Sequence, residues 1–467
     1  MSTEPTQAPG TDSGYRDQVL QVEPHAIDPI PASLRHGRPH QVFSLWVGAN
    51  VEFATLTTGA LAVGLFGLGF RQAAAALILG NLLGSLILGG LTTLGPRLGL
   101  PQLIQSRAAF GFYGNFVPAA LNFVAGVGWF AVNTVLGVFA LVWLLHIGFV
   151  PALLLIALLQ VLFAVYGYNF IHSFERWMAV LLTLVFLAVT VVALGHVHLG
   201  APANLKAPLW SGAGGSFILS LGVAFSYVLG WVAFASDYTR YLPADTAPRR
   251  VFWPAFWGLN LSCIWLELLG AGLATTLKSV QVPTDVVTGL LPYWLAVPTM
   301  IAIVLGTMTA NVLNIYSGSL SVLAIDVGLV RAVFPKRWVA VLILGVLGTA
   351  LSMIGRTGYY NRYSDFLLLL AYWIAPWSAI VIAHFFLGQK REQGTGAFYD
   401  RKAATGPGLW AWAIAVAVSV PFFNQALYQG FIAKADPGLG DISYYVSFVV
   451  AFVVYTLWRN AGRPATR

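Results

Sequence analysis

The chain has 467 residues, of which 58% are hydrophobic and only 9% are charged. Soluble domains carry about 25% charged residues, so this composition excludes a soluble protein and predicts one that crosses a membrane many times. The net charge of +8 comes from basic residues that are spread over many loops, which argues against nucleic acid as a partner. The single cysteine, Cys263, excludes an intramolecular disulfide bond.

Residues 1–40 are polar and rich in Pro, Asp and Glu, and they predict a disordered cytoplasmic tail without a cleavable signal peptide. Twelve apolar segments follow, each long enough for a spanning helix of about 20 residues. Their approximate centres are residues 54, 83, 130, 160, 187, 226, 263, 304, 345, 375, 416 and 451. We therefore expect one transmembrane domain over residues 41–460 and a short cytoplasmic tail over residues 461–467.

The distribution of Lys and Arg predicts the orientation of the chain. With the N-terminus inside, 19 of the 25 basic residues fall in the tails and inner loops, and 6 fall in the outer loops. Basic residues are enriched on the cytoplasmic side of membrane proteins. The split therefore predicts twelve spans in the cytoplasmic membrane, with both termini in the cytoplasm.

Two of the predicted spans are interrupted by polar residues or glycine. The first span contains Gly48, Asn50 and Glu52, and the sixth contains residues 226–231, SYVLGW. A helix within the bilayer is broken only where the freed backbone lines a cavity or is buried in protein. Because paired interruptions in the two halves of a chain mark the central site of secondary transporters, this pattern predicts a transporter.

Glu52 is the most informative single residue, because a charge at the bilayer centre costs about 2.5–3.5 kcal/mol even on lenient scales. It is expected to face a cavity, pair with a partner or carry a proton. Three roles stay open: binding substrate N–H groups, relaying a proton, or helping to hold a cation. The structural alternative is a protonated side chain bonded to a neighbouring helix. Ordinary packing is the interpretation that we favour for Glu267 in the seventh span.

The third span places Trp129 near its middle, with Gly126 and Gly128 before it and Asn133 one turn after it. Small residues let a ligand or another backbone come close, and a flat ring beside such a gap is a natural stacking surface for another flat ring. Ordinary helix packing also uses small and aromatic residues, so this alternative stays open.

The eighth span carries a polar stripe, because Thr307, Asn311 and Asn314 recur at helical spacing. Hydroxyl and amide oxygens suit a hard cation such as Na⁺, and amides match the mixed donor and acceptor edge of a nucleobase. Thr309 lies off this stripe and adds an oxygen toward a different neighbour. A hydrogen-bonded seam between helices is the structural alternative.

Enzyme motifs are absent from the sequence, which has no Walker loop, no HExxH and no Cys/His metal spacing. We therefore expect no catalytic residues, no bound cofactor and no obligate protein partner. Without a nucleotide-binding domain, the energy for any pumping must come from an ion gradient or from the gradient of the substrate itself.

Four stretches are distinctive in combination. They are residues 106–111 (SRAAFG), residues 128–130 (GWF), residues 235–243 (ASDYTRYLP) and residues 311–318 (NVLNIYSG). Together they resemble nucleobase–cation symporter family 1, and within it the purine-cytosine permease branch. The resemblance implies an all-α, LeuT-type fold of twelve helices in which helices 1 and 6 are broken. It implies two inverted five-helix repeats over about residues 41–198 and 214–388, and two extra helices over about residues 407–460.

The resemblance also implies how a substrate ring is held. In this family the ring stacks on the Trp that corresponds to Trp129, and an aromatic residue of the sixth span covers the other face. Here Tyr227 or Trp231 must take that second role. Relatives that prefer cytosine carry Gln at the position of Gly126, which makes cytosine specificity an open question. The residues that could supply the missing amide or its equivalent are Asn133, Glu52 and Asn311.

A sodium site is implied by the same resemblance. First-span carbonyls near Gly48 and Val51 and eighth-span oxygens near Gly306 and Thr309 correspond to the sodium ligands of the family. Many relatives have Asp at the position of His384, whose role stays open.

The sequence therefore predicts a symporter that imports a planar nitrogenous ring, such as a purine, cytosine or a relative, with Na⁺ or H⁺. Trp129 stacks the ring, Tyr227 and Trp231 close its opposite face, and polar side chains bind its edge. The alternative is a proton-coupled carrier of a different heterocycle, such as a vitamin or a hydantoin, with Glu52 as the coupling group. The expected partners are the small heterocycle and the lipid bilayer.

Overall fold

The computed structural model describes residues 26–166, 168–204, 212–276, 282–334, 336–388, 394–402 and 405–461. Over these ranges the chain is helical, and the β-pairing there is limited to an isolated bridge between Asn424 and Gln429. The main helices are α1 (Pro39–Asn50), α2 (Phe53–Gly64), α3 (Phe70–Thr92), α4 (Phe116–Leu145), α5 (Phe149–Tyr166), α6 (Tyr168–Leu194), α7 (Gly212–Val232), α8 (Ala235–Thr239), α9 (Pro248–Ala274), α10 (Tyr293–Leu323), α11 (Arg337–Gly355), α12 (Tyr359–Phe386), α13 (Pro407–Ser419) and α14 (Ser443–Ala461).

Short helical segments connect these helices. They are Leu94–Leu98, Gln102–Gln105, Arg107–Phe110, Asp285–Thr288, Gly328–Val333 and Phe431–Ala435, with single 3-10 turns at Ala32–Leu34, Thr395–Tyr399, Val420–Phe422 and Pro437–Leu439. In the described part of the chain, eight helical stretches are long and apolar enough to cross a membrane, and three shorter apolar helices accompany them. Each of the twelve predicted centres lies within a helix. The chain is therefore an all-helical protein with several membrane-spanning helices.

Close helix packing depends on small residues at the contacts. α10 packs along α4, α3 packs along α7, and α9 packs against both α2 and α3. A Cβ atom at Gly59 of α2 would overlap the carbonyl oxygen of Glu267 in α9, and one at Gly270 of α9 would overlap the carbonyl oxygen of Leu56. This reciprocal contact lets two backbones approach in a way that larger residues would prevent.

The predicted interruption of the first span is present between α1 and α2. The backbone at Glu52 is extended, with φ −148° and ψ 170°. Polar side chains bond to backbone groups on both sides of the break. The Asn50 side chain donates to the carbonyl oxygen of Trp46 at 2.7 Å, and Thr55 Oγ1 donates to the carbonyl oxygen of Asn50 at 2.6 Å. Oε2 of Glu52 accepts from the N–H of Ala54 at 3.3 Å and so caps α2.

The predicted position of the second interruption is wrong. Residues 226–231 are helical throughout, and α7 ends only at Val232, after which two turn residues lead into α8. Gly230 does not break the helix. Its role is in packing, since a Cβ atom there would lie 2.8 Å from Nε1 of Trp129. The sixth span is thus interrupted at residues 233–234, nearer its end than the sequence indicated.

The N-terminal segment contacts the rest of the chain over its described part, residues 26–40, and residues 1–25 of the predicted tail lie outside the described ranges. The N–H of Ile30 donates to the carbonyl oxygen of Gly99 at 3.0 Å, and Arg35 donates to the carbonyl oxygen of Pro96 at 2.8 Å. Ile30 is also buried. Backbone pairing and one apolar anchor therefore fix this polar segment in spite of its composition.

Candidate functional site

Trp129 lies in the middle of α4 and is buried at the junction of α4, α7 and α12. Its ring meets Tyr227 edge-on, with centroids 5.4 Å apart and planes at 89°, and meets Phe366 in the same manner at 5.3 Å. The Tyr363 ring lies 6.3 Å away. Gly230 of α7 leaves room for the indole nitrogen. Trp129, Tyr227, Tyr363 and Phe366 therefore form an aromatic cluster around the residue predicted to stack the ring.

Tyr227 connects this aromatic cluster to the interruption of the first span. Its hydroxyl donates to Oε1 of Glu52 at 3.2 Å and lies 2.7 Å from Oγ1 of Thr55. Glu52 and Tyr227 are both fully buried. No cation forms an ion pair with Glu52 among the described residues. The Glu52 carboxyl group therefore depends on a tyrosine hydroxyl and a backbone N–H for its contacts.

Trp231 lies one turn after Tyr227 but faces a different neighbour. Its Nε1 donates to Oδ1 of Asn50 at 2.9 Å, and its ring packs edge-on against Trp46 at 5.7 Å. The structure therefore brings Tyr227 against Trp129, whereas it places Trp231 at the end of α1. Asn50, which sequence reasoning treated only as part of the interruption, is the residue that joins the two helices here.

Asn133 and Asn311 meet between α4 and α10. Nδ2 of Asn133 donates to Oδ1 of Asn311 at 3.3 Å. Nδ2 of Asn311 lies 3.1 Å from each of three acceptors: the carbonyl oxygen of Phe130, Oγ1 of Thr134 and Oε1 of Gln160. Sequence reasoning missed Gln160. Its signal was a lone amide in the apolar helix α5, where polar residues are costly and need partners.

Gly126 does not lie beside the Trp129 ring but at the contact between α4 and α10. A Cβ atom at Gly126 would lie 3.3 Å from Cα of Gly318 and 3.4 Å from the carbonyl oxygen of Asn314. This position therefore serves the approach of two helices. A side chain as long as Gln at Gly126 would have to displace the α10 backbone or turn out of the contact.

The residues that resemble a sodium site lie where the first-span interruption meets α10. A Cβ atom at Gly306 would lie 3.2 Å from Cβ of Glu52, so the two backbones are in close contact. Oγ1 of Thr309 donates to the carbonyl oxygen of Gly306 at 2.6 Å. Gly48, in the last turn of α1, and Val51, at the end of that helix, are both buried. The Thr309 hydroxyl and the backbone carbonyl groups of these residues offer uncharged oxygens, which are the ligands that a hard cation takes.

Glu267 and His384 are bonded to neighbouring helices. Oε2 of Glu267 accepts from Nδ2 of Asn81 at 2.5 Å, which links α9 to α3. Nδ1 of His384 lies 2.6 Å from the hydroxyl of Tyr455, which links α12 to α14. Each contact gives the ionisable group a partner on a neighbouring helix.

A cavity of about 260 Å³ lies on the far side of the aromatic cluster, between α4, α11 and α12. Gly128, Tyr363 and Phe366 line it, together with Arg362 and Asp365. Because Tyr363 and Phe366 also contact Trp129, these two rings form the wall between the cavity and the indole. Neither ring was identified from the sequence.

Comparison with known proteins identifies the family of the chain. A family model described as permease for cytosine/purines, uracil, thiamine and allantoin matches residues 29–447. The putative purine-cytosine permease YxlA of Bacillus subtilis is 29% identical over 448 residues, which cover 93% of this chain and 95% of that protein. The purine-cytosine permease fcyB of Emericella nidulans is 28% identical, over 94% of this chain and 89% of that protein.

A solved structure shares the fold. Mhp1, a nucleobase-cation-symport-1 family transporter in a closed conformation with bromovinylhydantoin bound, gives a TM-score of 0.75 at 18% identity, covering 96% of this chain and 98% of that chain. These relatives are transporters and not enzymes. The chain belongs to the family of membrane permeases for cytosine and purines, uracil, thiamine and allantoin.

Proposed function

We propose that this protein is a secondary active transporter that imports a nucleobase or a related planar nitrogenous ring by cation symport. One observation carries the proposal: the buried Trp129 ring packs against Tyr227, whose hydroxyl bonds to Glu52 at the interruption of the first span. A flat aromatic surface and a hydrogen-bonding carboxyl group thus share one place in the middle of the bundle. The names of the relatives, which are purine-cytosine permeases, support the same class of substrate.

The ring is held on its face by Trp129 and along its edge by polar groups. Tyr227 stands at a right angle to the indole plane, so a ring stacked on Trp129 meets Tyr227 at its edge until Tyr227 turns. In this proposal Asn133 and Asn311 supply amide groups, and Glu52 accepts from substrate N–H groups. Trp231 of α7 binds Asn50 at the end of α1, so in this proposal it acts by holding that end of the first span rather than by covering the ring.

The membrane arrangement that suits this function has twelve spans, both termini in the cytoplasm and a location in the cytoplasmic membrane. Two inverted repeats over about residues 41–198 and 214–388 exchange inner and outer access, and two extra helices follow. The interruptions at residues 51–52 and 233–234 support this arrangement, because broken helices in corresponding positions are typical of such repeats. The excess of basic residues in the inner loops supports the orientation.

Na⁺ is the coupling cation in the simplest form of the proposal. Carbonyl oxygens near Gly48 and Val51, with Gly306 and Thr309, would hold the ion. The close contact between Glu52 and Gly306 supports this assignment, because it brings the freed carbonyls of the first span next to α10. Binding of the ion would then fix the interruption against α10 and favour the ring site beside it.

A proton-coupled carrier of another heterocycle, such as a vitamin or a hydantoin, is the second candidate, and the hydroxyl geometry supports the proton on Glu52 that it needs. Thr55 donates its only hydroxyl hydrogen to the carbonyl oxygen of Asn50, and Tyr227 donates its own to Glu52. No hydrogen then remains for the 2.7 Å contact between Thr55 and Tyr227. A proton on Glu52 would supply the missing hydrogen, since Tyr227 could then donate to Thr55 instead.

The proposal is tested by the thermal unfolding midpoint of the purified protein with cytosine, adenine, hypoxanthine, uracil, pyridoxine and hydantoin, each in Na⁺ and in K⁺. A ligand that binds the folded state raises the midpoint. A shift for one nucleobase that is larger in Na⁺ and absent in Trp129→Ala supports the leading function, with the exposed Trp177→Ala as control. A shift that depends on pH but not on Na⁺ favours the second candidate. No shift for any ring overturns both.

A further inference from the structure

Gln160 is the polar centre of a hydrogen-bond network that joins three helices. It lies on α5, where the other residues from Phe149 to Val165 are apolar, and its side chain is fully buried. Its Oε1 accepts from Oγ1 of Thr134 on α4 at 2.8 Å and from Nδ2 of Asn311 on α10 at 3.1 Å. Through Asn311, the network connects Gln160 to Asn133, one of the residues proposed to bind the ring.

Two backbone carbonyl groups fix which end of each side-chain amide is its NH₂ group, because a carbonyl oxygen can only accept a hydrogen bond. One end of the Asn311 amide lies 3.1 Å from the carbonyl oxygen of Phe130, so that end must be the NH₂ group. One end of the Gln160 amide lies 3.5 Å from the carbonyl oxygen of Thr307, so that end is also the NH₂ group. Oε1 of Gln160 is then the atom that faces Asn311, and neither amide can turn over without losing a backbone partner.

The fixed direction continues to Asn133. Asn311 turns Oδ1 toward Asn133, whose Nδ2 donates to it at 3.3 Å. The other end of the Asn133 amide is consequently its carbonyl oxygen. Among the described residues, this Oδ1 is a buried oxygen without a hydrogen-bond partner. Asn133 lies one turn after Trp129 on α4, so the oxygen and the indole ring lie on one face of the helix.

We propose that Gln160 is a positioning residue that sets the hydrogen-bond polarity of the ring site. Together with the carbonyl oxygen of Phe130, it holds Asn311 in the direction that makes Asn133 present a carbonyl oxygen, and the site therefore selects rings that carry an N–H group at that edge. A ring with a lone pair or a methyl group there leaves the buried oxygen unpaired, which is costly. The inference rests on the proposed function, because it names the kind of ring edge that the proposed site takes.

The test compares pairs of rings that differ in one N–H group. The full-length protein is screened with cytosine, adenine, hypoxanthine and uracil, and the best ligand is then compared with each of its N-methyl derivatives by competition binding. The wild type is expected to prefer the parent ring over one derivative by about tenfold, as for one lost hydrogen bond. Q160L should narrow this preference by about threefold, because the direction of the Asn311 amide then depends only on the carbonyl oxygen of Phe130, Thr134 and Asn314.

Two further variants separate polarity from packing. Q160E in its protonated form keeps an acceptor for Asn311 and a donor for the Thr307 carbonyl, so it should keep the preference. T134V removes one donor to Gln160 and one acceptor for Asn311, and it should narrow the preference by about threefold even if Q160L does not fold. N122L is the matched control, because Asn122 donates to Ser321 at 2.7 Å between the same two helices, away from Gln160. It should leave the preference unchanged.

The outcomes distinguish the inference from the function on which it rests. Q160L and T134V proteins that bind parent and derivative more weakly by the same factor overturn the inference, since Gln160 then acts only in packing. An N122L protein that loses preference as much as Q160L, or a wild type without any preference, also overturns it. A wild type that binds none of the four rings instead overturns the proposed nucleobase transport.

Discussion

Nε1 of Trp231 donates to Oδ1 of Asn50 at 2.9 Å, and this bond joins the last turn of α7 to the last residue of α1. Both helices end here, in the middle of the bundle, at the two interruptions of the chain. The same Asn50 side chain donates to the carbonyl oxygen of Trp46 at 2.7 Å. The Asn50 amide therefore holds the end of α1 and links it to α7.

The change Trp231→Phe tests this tie. Phe keeps an aromatic ring against Trp46 but removes the donor, which leaves Oδ1 of Asn50 buried and unpaired. We expect the loss to cost about 1–3 kcal/mol and to lower both the thermal unfolding midpoint and ring uptake. Trp294→Phe, at a position that is 69% exposed, is the control and should change neither. A Trp231→Phe protein with the wild-type midpoint would show that the bond contributes nothing to stability.

The positions of the helices could be predicted from the sequence because each spanning helix is a run of about 20 mostly apolar residues. The first interruption was also visible, since Asn50, Glu52 and Thr55 are polar residues in an apolar span and are the groups that satisfy the broken backbone. The second interruption was misplaced because Gly230 signals either a break or a close neighbour. Only the position of Trp129 in space decides between them.

The candidate site could be predicted only in part. Trp129, Tyr227 and Glu52 carry distinctive chemistry within apolar spans, and the structure brings them together. The partners of Trp231 and Gln160 could not be inferred, because each is set by the rotation of one helix against another, which no single segment encodes. Trp231 is one turn from Tyr227 and yet faces Asn50.

The proton-coupling role of Glu52 predicts a specific defect in Glu52→Gln. The substitution keeps the size of the side chain and an acceptor for the N–H of Ala54, but it removes the ionisable group. If Glu52 carries the coupling proton, the variant is an uncoupled carrier, and accumulation of the labelled ring in proteoliposomes should fall at least tenfold. This fall corresponds to a loss of about 1.4 kcal/mol or more in the concentration gradient of the ring. Exchange of labelled for unlabelled ring should persist, because it needs no net proton movement.

Glu267→Gln is the matched control for this experiment, since Glu267 is also a buried carboxyl group but bonds to Asn81 between α9 and α3. It should accumulate the ring as the wild type does. Glu52→Gln with wild-type accumulation would rule out the coupling role. A parallel loss of accumulation and exchange would instead assign Glu52 to substrate binding.

The sodium assignment predicts that Thr309→Ala weakens the dependence on Na⁺. The substitution removes one uncharged oxygen at the contact between α10 and the first-span interruption. We expect the Na⁺ concentration at half-maximal stabilisation to rise by about fivefold, which corresponds to about 1 kcal/mol. Thr299→Ala on the same helix is the control, because its hydroxyl likewise bonds only to a carbonyl oxygen of its own helix, at 2.7 Å. Equal Na⁺ dependence in the two variants would contradict the assignment.

Gly230→Ala should damage the ring site while leaving the fold intact. The new Cβ atom would lie 2.8 Å from Nε1 of Trp129, and the indole cannot retreat freely because Tyr227 and Phe366 contact it edge-on. Overpacking of this kind costs about 1–3 kcal/mol, so we expect the KM for ring uptake to rise by about tenfold or more. Gly90→Ala is the control, because a Cβ atom there has no neighbour within 4 Å. If both variants keep the wild-type KM, Trp129 does not hold the ring, since a displaced platform could not bind it equally well.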